Sequence, residues 1–141
     1  MKRSEYIHLR DRYLPSRRKL VFVLESPPIS GRHFYNPAGS VSEPLFRAMM
    51  KDVLEISPKT KSEGLLEFAR RGYFLVDATY TPVNDDQLSR RTRNDVILAD
   101  LPLLLDDLRR HTDTETQIVL VKANICELLE RECSSVTNWR C

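Results

Sequence analysis

Three short, continuously apolar runs are separated by longer segments in which apolar residues recur every three or four positions. The runs are residues 20–24, 73–76 and 118–121, the last with Gln117 before it in the same predicted strand, 117–121. Each is rich in β-branched or aromatic side chains and lacks the polar alternation of a half-exposed strand, which is typical of strands covered on both faces. The pattern therefore predicts three buried strands.

The segments around these runs have the apolar spacing of helices. The predicted helices are a short one within residues 1–14, then residues 42–56, 62–70, 94–110 and 123–131. Ser42 and Asp100 are predicted helix caps, since each stands shortly before a proline that the first turn tolerates. Pro102 predicts a break or a fresh start within the fourth helix. Gly72 is predicted to end the third helix.

Strands that alternate with helices predict parallel βαβ units with right-handed crossovers. We therefore expect an α/β fold, a three-layer α/β/α sandwich with a short parallel sheet. The chain of 141 residues is long enough for one hydrophobic core and short for two. Residues 1–141 are expected to form a single domain.

The overall charge does not indicate binding to nucleic acid or to a membrane surface, because 22 basic side chains nearly balance 20 acidic ones. Such binding would have to depend on local clusters of charge. The basic residues are clustered at 17–19, 70–71 and 90–93, beside the predicted strands. These clusters form either a phosphate-binding surface or ordinary solvated faces.

The cysteines, at positions 126, 133 and 141, lack the CxxC spacing of a zinc or redox site, so we expect reduced thiols. The three histidines are too scattered to predict a metal site. The chain shows no signal peptide and no apolar run of about 18 residues, which predicts a soluble, cytoplasmic protein without a membrane partner.

Polar side chains follow the first two strands at the points where they end. Glu25 and Ser26 come directly after the first strand, and Asp77 ends the second. Ligands of open parallel sheets bind at the carboxyl ends of the strands, so Glu25 and Asp77 are expected to lie close together on one rim. Paired carboxylates there can divide acid and base roles. The alternative is that each accepts hydrogen bonds from loop amides.

The loop after the first strand carries an aromatic pair, Phe34 and Tyr35, next to Arg32 and His33. Such a loop can stack a planar base and bond its edge, or its rings can fill the core beneath it. The chain has neither a P-loop nor a Gly-x-Gly-x-x-Gly motif, which argues against nucleoside triphosphates and dinucleotides. Ser26 lacks the surroundings of an acyl-transfer nucleophile.

In this order, the motifs resemble those of the uracil-DNA glycosylase superfamily. Residues 24–28, LESPP, are similar to its Gly-Glu-Ala-Pro-Gly motif, and residues 31–39 are similar to its Gly-Arg-x-Phe-x-Gly-x-x-Gly loop. Residues 74–77, followed by Pro82, are similar to the segment that reads the uracil edge. The resemblance implies a four-stranded parallel sheet between helices. It also implies hydrolysis of the N-glycosidic bond of a flipped base in DNA, without metal or cofactor.

The resemblance also implies roles for individual residues. Glu25 and Ser26 would line the position of the attacking water, as catalytic residues. The expected base-binding residues are Phe34, Tyr35, Asp77 and Asn84, and the expected phosphate contacts are Arg32, Arg90 and Arg91.

Three departures from the family pattern shape these expectations. Ser26 stands where many members have an acidic or amide residue that handles water. Asp77 replaces an amide, and an ionised carboxylate only accepts hydrogen bonds, so it favours a base edge with an amino group unless it is protonated. Residues 133–141 contain no His and no insertion loop. We expect that the domain is truncated at its C-terminal end; the alternative is that His33 takes the missing catalytic role.

Two other functions remain open on the sequence. The first is a non-catalytic nucleic-acid or nucleotide-binding module of the same fold. The second is a small α/β protein whose rim binds another metabolite.

Overall fold

The computed structural model describes residues 1–132 and 139–141, and in them six helices surround a four-stranded, fully parallel sheet. The strands are β1 (Leu20–Leu24), β2 (Tyr73–Asp77), β3 (Gln117–Leu120) and β4 (Trp139–Arg140). The helices are α1 (Arg3–Asp11), α2 (Pro44–Ala48), which continues as a π-helix (Met49–Leu54), α3 (Lys61–Arg70), α4 (Arg90–Ala99), α5 (Leu101–His111) and α6 (Ala123–Glu132).

Strand β1 lies inside the sheet, whose order is β2-β1-β3-β4. It pairs with β2 from Leu20↔Tyr73 to Leu24↔Asp77, and with β3 on its other side. The predicted parallel direction is thus confirmed for both pairings, and so is the prediction that the first two strands are neighbours. The buried character of these strands is also confirmed, since Val21 and Val23 are fully shielded from solvent.

Helices pack on both faces of the sheet. Phe22 of β1 and Tyr73 of β2 contact Phe68 of α3. The neighbouring side chain on β2, Phe74, instead contacts His111 of α5. Successive residues of a strand point to opposite faces, so these contacts place α3 and α5 on opposite sides of the sheet.

Neither of the two side chains predicted to cap a helix does so in the structure. Glu43, not Ser42, immediately precedes α2, and neither carboxylate nor hydroxyl caps the helix there. The chain does restart as α5 at Leu101 with Pro102 in its first turn, as predicted. However, the Asp100 carboxylate accepts a hydrogen bond from Thr79 Oγ1 at 2.6 Å instead of capping α5.

The expectation of reduced thiols is wrong for two of the three cysteines. Cys126 of α6 and Cys141, next to β4, form a disulfide, with their Cα atoms 5.7 Å apart. Sequence spacing did not reveal the pair, because α6 and β4 come together in the fold, where both pack against β3. Cys133 lies outside the described residues. Residues 135–139 are the expected start of the fourth strand that the resemblance implies; of these, residues 135–138 also lie outside the described part of the chain, and Trp139 lies in β4.

Within the described part of the chain, no helix is both long enough and apolar enough to cross a bilayer.

Candidate functional site

A cavity of about 370 Å³ opens at the carboxyl end of β1. Five of the predicted site residues line it: Glu25, Ser26, Arg32, Phe34 and Asn84. Three further lining residues are Glu43, Phe46 and Lys122. The loop that follows β1 and Lys122, just beyond β3, therefore contribute to one site, as expected at the carboxyl ends of parallel strands.

Glu25 is the buried carboxylate of this cavity, with 4% of its surface exposed. Its Oε2 accepts a hydrogen bond from Asn124 Nδ2 at 2.7 Å, and its Oε1 lies 3.3 Å from Lys122 Nζ. The Asn124 amide also donates to Asn94 Oδ1 at 3.3 Å. These partners offset the cost of burying the charge and fix the orientation of the carboxylate.

Ser26 and Asn84 connect the loop after β1 to the segment after β2. The Ser26 hydroxyl accepts a hydrogen bond from the backbone N–H of Val83 and donates to the Pro27 carbonyl, both at 3.1 Å. Asn84 Oδ1 accepts from the backbone N–H of Ile29 at 2.7 Å. Both side chains line the cavity while they hold its wall in place.

Phe34 forms part of the inner wall and also belongs to the hydrophobic core. Its ring makes edge contacts with Tyr35 at 4.9 Å and with Phe68 at 5.3 Å between centroids. It also packs near Phe46, which lines the same cavity. Phe34 is 3% exposed and Phe46 1%, so most of both rings is packed inside the core and only a small part of their surface meets the cavity.

A buried ion pair holds the aromatic loop against α2 and α3. Lys61 Nζ donates to Glu43 Oε2 at 2.7 Å and to the backbone carbonyl of His33 at 2.9 Å. Burial lowers the pKa of Lys61, and the hydrogen bond to Glu43 opposes that shift. Sequence reasoning missed this pair, because a lysine at the start of a predicted helix looks like an ordinary solvated residue.

The structure places Tyr35 in the core instead of the cavity lining. Its side chain is fully buried, and its hydroxyl accepts a hydrogen bond from the backbone N–H of Leu75 at 2.9 Å. The Tyr80 hydroxyl likewise accepts a hydrogen bond from the backbone N–H of Asp77 at 3.4 Å. Because β2 is an edge strand, alternate N–H groups point away from β1, and these two phenols satisfy them.

Asp77 does not share the cavity with Glu25. The sheet register pairs Asp77 with Leu24, so the two carboxylates are not direct neighbours across the strands. Asp77 instead borders a cleft of about 10 Å³ together with Tyr80 and Asp107. Burial raises the pKa of Asp77 to about 7, and the positive charge of nearby Arg10 acts in the opposite direction.

His33 also lies away from the cavity lining. Its ring packs edge-on against Tyr6 at 4.9 Å, and it is 2% exposed. Burial lowers its pKa to about 4, and the charges of Lys61 and Arg10 act in the same direction. Its Nε2 has no hydrogen-bond partner in residues 1–132 and 139–141. The placement argues against His33 as a substitute for a catalytic His in the cavity.

The three arginines predicted to contact phosphate are all exposed. Arg32 lines the cavity, whereas Arg90 and Arg91 lie in the first turn of α4. Arg90 forms an exposed ion pair with Glu127 at 2.6 Å. Helix α4 also provides Asn94, which contacts Asn124 beside Glu25, so the helix is connected to the site through its inner face.

Sequence reasoning missed Asn124, and it left Lys122, at the end of the predicted third strand, as either a capping charge or a ligand contact. Lys122 stands between β3 and α6, and Asn124 lies in the first turn of α6, both at the same edge of the sheet as Glu25. The carboxyl end of the third strand lies at the same edge as those of the first two, so its position in the sequence is the signal that identifies them.

Among the described residues, no group of three or more His, Cys, Asp or Glu side chains is placed to hold a metal ion. The chain matches no family model and no curated protein sequence.

Proposed function

We propose that this protein is a DNA glycosylase-like hydrolase of the uracil-DNA glycosylase superfamily, with the family's three-layer sandwich. Its substrate would be uracil or another damaged base that has been flipped out of DNA. The observation that carries the proposal is the position of Glu25, a buried carboxylate held by Lys122 and Asn124 in a cavity with a Phe34 wall.

The size and composition of the cavity fit a nucleobase. Its volume of about 370 Å³ falls in the range of roughly 300–1,000 Å³ that is usual for small-ligand pockets. Phe34 and Phe46 form the apolar inner wall of the cavity, against which a planar base would pack. In this proposal Asn84 reads the base edge, and it does so through Nδ2, because its Oδ1 already accepts from Ile29.

The reaction breaks the bond between C1′ of the sugar and the base nitrogen, and the bonding electrons leave with the base. Glu25 stabilises the positive charge that develops on the sugar and accepts a proton from the attacking water, whose oxygen bonds to C1′. The Lys122 ammonium, 3.3 Å from Glu25, stabilises the negative charge that develops on the departing base. The proton that Glu25 accepts is finally passed to the base.

Contacts to DNA phosphates are assigned to Arg32 at the cavity and to Arg90 and Arg91 on α4. Because the net charge of the chain is only +2, binding must depend on these local cations. Each phosphate contact releases counterions, so DNA affinity should fall as salt rises.

The direct test is base release from oligonucleotides that carry uracil, hypoxanthine, xanthine or a mismatched base, as single strands and as duplexes. Alkali-labile sites are expected for at least one of these substrates. Glu25→Gln should abolish them, and Glu63→Gln, which changes an exposed carboxylate of α3, should not. Thermal unfolding of both variants checks that the fold is retained. If the protein releases no base from any substrate, the enzymatic proposal fails.

A non-catalytic nucleic-acid-binding module is the second candidate, and one observation favours it. Both oxygens of Glu25 already have side-chain partners, as in a carboxylate whose role is to hold β1, β3 and α6 together. Salt-dependent DNA binding without base release would identify this function.

A further inference from the structure

Asp77 is a buried carboxylate that the proposed chemistry at Glu25 does not use. It is 5% exposed, and across residues 1–132 and 139–141 its side chain makes no hydrogen bond. Nearby Arg10 donates instead to both oxygens of Asp107, at 2.6 and 3.1 Å. A buried charge without hydrogen-bonding partners is unfavourable, so the Asp77 carboxylate is suited to accept donors from a ligand.

The space beside Asp77 has the size of one small polar group. Asp100 also lines this cleft of about 10 Å³. Asp100 Oδ2 accepts a hydrogen bond from Thr79 Oγ1 at 2.6 Å, and within the described ranges its Oδ1 accepts none. A volume of this order holds about one water-sized group. An ammonium group has that size and carries three N–H donors for the free carboxylate oxygens.

A larger cavity of about 470 Å³ adjoins the cleft. The two spaces share four lining residues, which are Arg3, Tyr80, Asp100 and Leu103. Leu103 is 44% exposed, and Pro82 also lines the larger cavity, so a hydrocarbon chain that leaves the cleft meets apolar surface. Neither space shares a lining residue with the cavity at Glu25.

Cationic side chains line the larger cavity as well. Lys2 and Arg3, both exposed, are among its lining residues. The Arg3 guanidinium carbon lies 5.7 Å from the centroid of the Tyr80 ring, and Tyr80 lines both spaces. These cations repel a ligand that carries only positive charge, and they attract a ligand whose far end is a carboxylate.

We propose that the cleft and the larger cavity form a binding site for a small aliphatic amino acid, in which a hydrocarbon chain separates the ammonium group from the carboxylate. The ammonium group enters the cleft and donates to Asp77 and Asp100. The hydrocarbon chain packs against Leu103, and the carboxylate pairs with Arg3. This site goes beyond the proposed function and does not depend on it, because it is separate from the cavity at Glu25.

The binding test uses 6-aminohexanoate at pH 8, with hexanoate and n-hexylamine as compounds that each lack one of its charges. Backbone amide shifts of the ¹⁵N-labelled protein report both affinity and location. 6-Aminohexanoate should shift the resonances of Thr79 and Tyr80 and leave that of Ser26 unchanged. Hexanoate, which has no ammonium group, should bind at least about tenfold more weakly. Arg3→Gln should weaken the binding of 6-aminohexanoate and should not weaken that of n-hexylamine.

The deciding variant is Asp77→Asn, which should weaken the binding of 6-aminohexanoate by about tenfold or more. It removes an unpartnered buried charge, so the fold should be retained, and thermal unfolding checks this. Asp95→Asn is the matched control, because Asp95 is an exposed carboxylate of α4 that lines neither space. Equal affinity of the wild type and Asp77→Asn overturns the proposal, and so do shifts confined to the cavity at Glu25. If 6-aminohexanoate shifts no resonance, the cleft holds water only and the proposal is overturned.

Discussion

Asn124 Nδ2 donates a hydrogen bond to Glu25 Oε2 at 2.7 Å and thereby joins two buried residues that lie 99 positions apart in the chain. The bond connects the end of β1 to the first turn of α6. It holds the carboxylate on which the proposed chemistry depends, and it links the proposed activity to the stability of the fold.

Replacement of Asn124 by Leu should therefore affect both properties. Without the amide, one oxygen of a buried carboxylate loses its partner, and the free energy of unfolding should fall by about 1–3 kcal/mol. Urea denaturation measures the fall. Base release should also decrease, since Glu25 is no longer held. Asn36→Leu, which changes a less buried loop asparagine, is the control. Equal stability of the wild type and Asn124→Leu would show that the contact contributes nothing.

Asp77 should make the protein less stable as the pH rises. Its pKa is about 7 in the folded protein, above its usual value of 3.8. The folded state therefore binds more protons than the unfolded state between about pH 4 and 7, and stability contributed by this group is lost as the pH rises through that range. Asp77→Asn should abolish this loss and be more stable than the wild type at pH 8, by on the order of 2–4 kcal/mol.

The measurement for Asp77 is the difference in unfolding free energy between the wild type and Asp77→Asn at pH 5 and pH 8. Taking the difference cancels the opposite contribution of His33, whose lowered pKa of about 4 makes the folded state more stable as the pH rises towards 6.5. A difference that is the same at both pH values would contradict the predicted titration.

Tyr35→Phe should destabilise the protein although it removes a single oxygen atom. The lost hydroxyl leaves the buried N–H of Leu75 without a partner at the free edge of β2, at a cost of about 1–3 kcal/mol. Tyr13→Phe is a close control, because Tyr13 is also buried and stacks on Tyr35. Chemical denaturation should give a clearly smaller effect for Tyr13→Phe. Equal effects would assign no special role to the edge-strand contact.

Reduction of the disulfide should lower the thermal stability of the oxidised protein. The bond closes a loop between Cys126 and Cys141, whose sequence separation is 15, and a loop of that length corresponds to about 3 kcal/mol in the chain-entropy account. Dithiothreitol should therefore lower the Tm of the wild type and leave that of Cys126→Ser unchanged. A titration that finds three free thiols in the untreated, unfolded protein would contradict the pairing.

The sequence determined the elements whose signals are local. The continuous apolar runs predicted β1, β2 and β3, because a strand covered on both faces needs apolar side chains at every position. The alternation with helices predicted their parallel direction. The positions just after β1 predicted Glu25 and Phe34 as part of a site, and both line the cavity.

Only the tertiary structure decided which polar groups meet. Asn124 reaches Glu25, and Lys61 reaches Glu43, through the packing of elements that are distant in sequence, and no residue pattern encodes those distances. Tyr35 lies in the core because its hydroxyl bonds an N–H of the edge strand β2. Which strand is at the edge is known only from the strand order of the folded sheet. Periodicity reports which side of an element is buried, whereas a site depends on which elements become neighbours and on the register between them.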